Sequence, residues 1–184
     1  MDNKIQKQLV ESACRGDIDS FGKLYKHYYA SMVWLAYSIV LDYDLAEDIA
    51  QQSFVIACEN LESLQNKEKF ARWLSGICRN AACTSLSKSK REKISIDELV
   101  LVCDGNIDDE VQNIVQKAVF KLPQMYREIV ILHYYNDMNY NQIKSTLGVS
   151  LHSVKGRLRR ARKKIEKYLN RQFFDKVAYY ETIR

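Results

Sequence analysis

The residues with the clearest chemical potential lie near the end of the chain. Between Lys155 and Lys167 stand Lys155, Arg157, Arg159, Arg160, Arg162, Lys163, Lys164 and Lys167, with Glu166 the lone acid. Lysine and arginine at this density neutralise phosphates, and an arginine fork can also pair bidentately with guanine. The rest of the 184-residue chain does not share this bias. Its formal charge is only +5, and the stretch Asp97 to Glu110 holds six acidic residues and no basic one. A basic stripe on one element, with acid elsewhere, predicts a phosphate-facing surface confined to one domain.

Other chemistries lack their residues. His27, His133 and His152 are scattered, no glycine-rich phosphate loop is present, and no Cys/His cluster has metal-ligand spacing. The reading is therefore a non-enzyme with no cofactor and no metal. Cys14, Cys58, Cys78, Cys83 and Cys103 are odd in number and lack CxxC spacing, so they read as buried free thiols. The polar start Met1-Asp2-Asn3-Lys4 and the lack of an apolar run near the roughly 20 residues of a membrane span predict a cytoplasmic chain without membrane insertion.

One proline and six glycines leave little material for hairpins and favour helices, so the fold is read as all-α. Phe21, Leu24, Tyr25, Tyr28, Met32, Leu35 and Ile39 line one helix face, behind Asp17 and Asp19 at its start. A break at Leu41-Asp42-Tyr43-Asp44 separates it from a helix marked by Leu45, Ile49, Phe54, Ala57, Leu61 and Leu64. Phe70, Trp73, Leu74, Ile77 and Ala81 mark a third, with Trp73 its expected core anchor. Residues 1–91 form this first helical bundle, 92–109 a flexible acidic linker, 110–170 a second helical domain, and 171–184 a tail. In the second domain Val111, Ile114, Val115, Ala118, Val119 and Leu122 share a face that Pro123 closes, Pro123 then opening the next helix.

The basic run belongs to the last helix. Tyr140, Ile143 and Leu147 predict a short helix, Gly148-Val149-Ser150 a tight turn with Ser150 as cap, and Val154, Leu158, Ala161, Ile165 and Leu169 the buried stripe of a long basic helix. Short helix, turn and basic helix make a helix-turn-helix, whose second helix enters the major groove. His152, Ser153 and Lys155 lie nearest its start and are the first candidates to approach base edges.

The segment from Leu122-Pro123 to Leu132, followed by Tyr140-Asn141-Gln142-Ile143, Leu147-Gly148-Val149-Ser150 and Ser153 to Arg162, resembles region 4 of the extracytoplasmic-function (ECF) sigma factors, group 4 of the sigma-70 family. Gly16-Asp17, Phe21, Leu24-Tyr25 and Tyr28, then Ala46-Glu47-Asp48 with Gln51 and Phe54, and Phe70, Trp73-Leu74, Ile77 and Arg79-Asn80 resemble region 2, in the same order. The resemblance implies a promoter-specificity subunit with core RNA polymerase and promoter DNA as partners, and an anti-sigma factor as regulator. It places Asp48, Gln51, Gln52 and Phe54 on the polymerase, and Asn66, Lys67, Arg72, Arg79, Asn80, Lys88 and Arg91 on the −10 element. The loop Leu64 to Lys69 would trap an unstacked base. Ser150, His152, Ser153, Lys155, Arg157, Arg160 and Lys163 would bind the −35 element.

Departures from the pattern are local. Gln142 and Lys144 replace the usual acid and alanine around Ile143, so Lys144 must point its ammonium outward or the two helices must separate. Thr84 and Ser87 stand where an aspartate and an arginine-rich run would thicken the −10 helix. Two rival readings are a serine recombinase, which needs an α/β catalytic domain that this first half does not offer, and a free-standing helix-turn-helix regulator. The latter would bind promoter DNA alone. The tail Gln172 to Arg184 lies beyond the resemblance and is expected to be dispensable, unless its aromatics Phe173, Phe174, Tyr179 and Tyr180 fill a groove between domains.

Overall fold

The computed structural model describes residues 2–89 and 107–182. Among them every regular element is helical, in two bundles: α1 (Asn3–Cys14), α2 (Ile18–Val40), α3 (Tyr43–Glu59) and α4 (Phe70–Ser89), then α5 (Ile107–Phe120), α6 (Gln124–Val130), α7 (Tyr140–Leu147) and α8 (Leu151–Thr182). Most of the segment read as linker lies outside the described residues, and α5 begins at Ile107, inside it. The segment read as a tail continues α8 as far as Thr182.

The first bundle is built around α2, which packs against α1, α3 and α4. Asp17 starts α2 by accepting the amides of Asp19 and Ser20 and the Ser20 hydroxyl at 2.6 Å. Those donors, the Ser20 hydroxyl first, hold its carboxyl below the ordinary value. At the expected break, Leu41 takes a left-handed φ of 60° and its N–H donates to the Tyr37 carbonyl, and Asp42 then caps α3 by accepting the Leu45 amide. Leu24, Met32, Leu35, Phe70 and Leu74 are fully buried at the centre.

Three expectations need correction. Phe70, not Trp73, anchors α4 in the core, because Phe70 heads the helix pointing inward while Trp73 is only partly buried beside it. The thiols are not uniformly buried: Cys78 is enclosed and burial pushes it up to about 12, Cys14 and Cys83 are half-buried, and Cys58 is exposed. Pro123 stands at the N-cap of α6, one residue before the first helical position.

Helix α1 had no counterpart in the periodicity, yet it holds the turn before α4 in place. Val10 is buried, and the buried Gln6 accepts a hydrogen bond from the Tyr28 hydroxyl while its amide donates to the Glu68 carbonyl at 3.0 Å. Burial pushes the Tyr28 phenol up to about 12, so it remains a donor at any physiological pH. One amide thus ties α1 and α2 to the turn that precedes α4.

The second bundle wraps α5, α6 and α7 around α8. Beyond α6 the chain makes a π-helical turn over Ile131–Tyr135, which rephases the helix so that Ile131 and Leu132 enter the core while Tyr134 stays exposed. Phe70→Ala should cost on the order of 3–5 kcal/mol, since deletion of a buried ring loses its transfer energy and leaves a cavity. Urea unfolding of both chains checks this.

Candidate nucleic-acid interface

Helices α7 and α8 meet through the turn anticipated above. Asn139 caps α7 by accepting the amides of Asn141 and Gln142 at 3.0 Å, and Gln142 Oε1 accepts the Asn139 amide at 2.8 Å. This is a complete capping box, so Gln142 does the work an acid would do there. Gly148 ends α7 at φ 65°, its N–H donating to the Lys144 carbonyl. Ser150 then opens α8 by accepting the Ser153 amide at 3.1 Å. Ile143, Val154, Leu158 and Ala161 are buried between the helices, and Lys144 is exposed, so its ammonium is carried into solvent.

The outer face of α8 carries the charge. His152, Lys155, Arg160 and Lys163 are exposed with Ser150, while Ser153 and Arg157 are half-buried. Arg162 differs from its neighbours: its Nε donates to the Tyr134 hydroxyl at 2.7 Å, which raises its pKa, and it lies 5.7 Å from the Tyr134 ring centre. Arg162 therefore braces α8 against the π-helical turn. This pairing is not legible in the sequence, because the turn's phase shift is invisible to a 3.6-residue period.

On the first bundle, Asp48, Gln51 and Gln52 are exposed on one face of α3. Phe54, grouped with them from the sequence, is not: it is 3% exposed and packs its ring on Phe21 and Tyr25, so it supports that face from beneath. The exposed apolar member is Val55, seven positions after Asp48 and hence on the same stripe.

Asn66 is exposed and accepts the Glu68 amide at 3.0 Å, Lys67 and Arg72 are half-buried, and Asn80 is exposed. The side chain of Lys88 and the whole of Arg91 lie outside the described residues. Arg79 is already engaged, its Nε donating at 3.0 Å to Glu128 of the second bundle.

That pair belongs to a contact between the bundles. Arg127, 5% exposed, donates from Nε to the Ser38 carbonyl at 2.7 Å and from Nη1 to the Phe120 and Leu122 carbonyls at 3.0 and 3.1 Å. Burial draws its pKa down, while Glu128 and Tyr37 oppose the shift. Asn136 donates to the Ser75 hydroxyl at 3.0 Å, and the Phe120 ring packs on Trp34 and Tyr37. A cleft of about 450 Å³ opens between the bundles, lined by Arg79, Gln124, Met125, Glu128, Leu147 and Arg157 among others.

A helical protein whose last domain presents a capped helix-turn-helix with a basic second helix belongs to the DNA-reading class. Comparison with known proteins narrows the class: residues 24–92 match the model for sigma-70 region 2, and residues 112–165 the model for sigma-70 region 4. The ECF RNA polymerase sigma factor SigW of Bacillus subtilis is 27% identical over 179 residues, covering 89% of this chain and 96% of the relative. RNA polymerase sigma factor SigV of the same organism is 32% identical over 130 residues, covering 70% and 78%. In fold the chain is similar to CnrH, solved with the cytosolic domain of CnrY (TM-score 0.65, 23% identity, 90% of this chain and 97% of that one). It is also similar to RpoE, solved with the anti-sigma factor NepR from Bartonella quintana (TM-score 0.66, 23% identity, 82% and 96%). The chain belongs to the sigma-70 family of RNA polymerase sigma factors, in its ECF group. It is thus a non-catalytic subunit that binds core polymerase and directs promoter recognition. Among the described residues no helix is long and apolar enough to cross a membrane.

Ser150→Ala should destabilise the second domain by about 1 kcal/mol, because the cap satisfies one of the orphan amides of α8. Thermal unfolding followed by circular dichroism measures the loss.

Proposed function

We propose that residues 1–91 bind core polymerase and the −10 element, and residues 110–170 the −35 element, with 92–109 as linker. The observation that carries this division is the capped, basic α8 standing in a domain separate from the polar face of α3. Asp48, Gln51 and Gln52 supply the polymerase contact, with Val55 as its apolar centre and Phe54 beneath it. Asn66 and Lys67, on the turn held by Gln6, meet the unpaired −10 strand, and Arg72, Arg79, Asn80, Lys88 and Arg91 continue along α4 and past its end. At the −35 element Ser150, His152, Ser153, Lys155 and Arg157 lie in the first two turns of α8, where base edges come within reach, and Arg160 and Lys163 flank the phosphates. The protein works in the cytoplasm, where the polymerase is, and an anti-sigma factor restrains it. Support for that restraint comes from CnrH and RpoE, of the same fold, each solved with a bound partner.

Replacing Asp48 and Gln52 by alanine should weaken association with core polymerase without unfolding the chain, since both side chains are exposed. A pull-down showing unchanged retention, alongside an intact circular-dichroism spectrum, would remove α3 from the contact.

Lys155→Ala or Arg157→Ala should cost the holoenzyme on the order of 1–3 kcal/mol and relax preference at particular −35 positions. Lys163→Ala should weaken all sequences alike and flatten the salt dependence. Promoter binding across a −35 mutant series at two salt concentrations separates the two classes, and a uniform loss from both would cancel the distinction.

A further inference from the structure

Helix α1 precedes the residues that match the region 2 model, and besides α2 it packs against both short helical turns of the segment 61–69, between α3 and α4. That segment has little to hold itself. Two single 3-10 turns, Leu61–Ser63 and Lys67–Lys69, flank Leu64, Gln65 and Asn66, which belong to no regular element. A lone 3-10 turn has poor hydrogen-bond geometry and no neighbouring turn to extend it. The Leu64 amide donates to the Leu61 carbonyl at 3.2 Å and the Lys69 amide to the Asn66 carbonyl at 3.0 Å, so each turn closes on itself and, among the described residues, no backbone bond reaches across residues 64–66.

Helix α1 grips the segment at both ends instead. The Cys14 thiol donates to the Leu61 carbonyl at 3.7 Å, and Gln6 Nε2 to the Glu68 and Lys67 carbonyls at 3.0 and 3.4 Å. Gln6 is 3% exposed and uses both ends of its amide, since its oxygen accepts the Tyr28 hydroxyl. Tyr28 stands on α2 with its ring against Phe70, so Gln6 references the turn to the central helix of the bundle. The exposed ion pair of Lys7 with Glu68 at 3.4 Å adds little. Leu61 and Leu64 are buried, whereas Gln65 and Asn66 are exposed between the two grips. Both carry a carboxamide, a donor and an acceptor side by side, which suits the Watson–Crick edge of an unpaired base. Such pairing works only within a heavy-atom distance of about 2.7–3.2 Å, so its groups must be held to about 0.5 Å by their support. Three irregular residues do not hold that tolerance unaided.

We infer that Gln6 is a positioning residue for promoter recognition: without touching DNA, it fixes the backbone at Lys67 and Glu68 so that Gln65 and Asn66 read one base of the unpaired −10 strand. This rests on the assignment of the turn to that strand, and it adds Gln65 to the readers. Gln6 and its neighbours on α1 stand outside the surface proposed to meet DNA. A purely structural role would lower every activity of the chain together. Positioning predicts a loss confined to one base.

The test uses holoenzyme assembled on the full chain, with transcription measured on templates that carry each of the four bases at every −10 position beside a fixed −35 element. Gln6→Glu keeps the side chain's length and the acceptor for Tyr28 but sets a carboxylate oxygen against the Glu68 carbonyl. The wild type should prefer its base at one −10 position by about tenfold, the usual order for a base that is read, and Gln6→Glu should reduce this to about threefold or less. Preferences at the other −10 positions, discrimination at the −35 element and affinity for core polymerase should not change. Acidification should partly restore the preference, because a protonated glutamic acid donates as the amide did. Leu35→Ala, a core truncation about 10 Å further along α2, should lower the unfolding temperature and leave the preference intact. Should Gln6→Glu unfold, Gln6→Leu, which buries no charge, replaces it with the same flattening and no recovery in acid. An unchanged preference in the folded variant, or a loss shared by every −10 and −35 position or by Leu35→Ala, would overturn the positioning role. The assignment beneath it is read separately with Gln65→Ala and Asn66→Ala. Flattening by these two and none by the Gln6 variants rejects the role of Gln6 alone, and no flattening by any of them rejects the assignment and the role with it.

Discussion

Arg127 is the constraint around which the second domain is built and on which its meeting with the first depends. Its guanidinium lies where two helices end, accepting partners being the Phe120 and Leu122 carbonyls at the close of α5 and the Ser38 carbonyl in the last turn of α2. Helix C-termini leave carbonyls without amide partners and carry a partial negative charge. One buried cation answers both ends at once. A buried guanidinium is costly unless its donors are used and its charge is balanced, and here three carbonyls and the neighbouring Glu128 provide that balance. The position of Glu128 follows from the next residue along the same helix, and with it the pairing of Arg79.

The helix-turn-helix was legible in the sequence because every device that makes it is local. Val154, Leu158 and Ala161 repeat at helical spacing, Gly148 supplies the left-handed residue, and Ser150 caps within three positions. Gln142 looked like a loss only because an acid was expected; its amide oxygen reaches the Asn139 amide just as a carboxylate would. The α2–α3 break was likewise written in Asp42, a residue that caps its own helix.

What escaped the sequence depends on contacts between distant segments. Helix α1 buries Val10 and one polar residue, Gln6, whose role requires Glu68, sixty-two positions away. Phe54 lies on the apolar spacing of α3 with Ile49 and Ala57, and the rings of Phe21 and Tyr25 on α2 close over it; the family grouping with Gln51 and Gln52, not the periodicity, is what misplaced it. Phe70 and Trp73 both sit at core spacing, and the larger ring is excluded because Phe70 already fills the space beside Tyr28. Arg79 and Glu128 stand forty-nine residues apart with an acidic segment between them, so the family resemblance assigns Arg79 to the −10 element and gives no hint of an internal carboxylate.

The two kinds of packing in the molecule divide its labour. Inside each bundle the contacts are apolar, and a side chain such as Leu24 or Ile129 contributes about 1.5–3 kcal/mol by leaving water. Between the bundles the Phe120 ring on Trp34 and Tyr37 joins the two cores into one apolar cluster, flanked by hydrogen bonds and one ion pair, groups that water solvates nearly as well as the protein does. Parting the bundles would therefore return polar groups to water but also expose the apolar seam at Phe120, while unfolding either one exposes a whole core. A subunit that directs promoter recognition needs the first kind of packing: domains with cores stiff enough to keep a recognition helix in register.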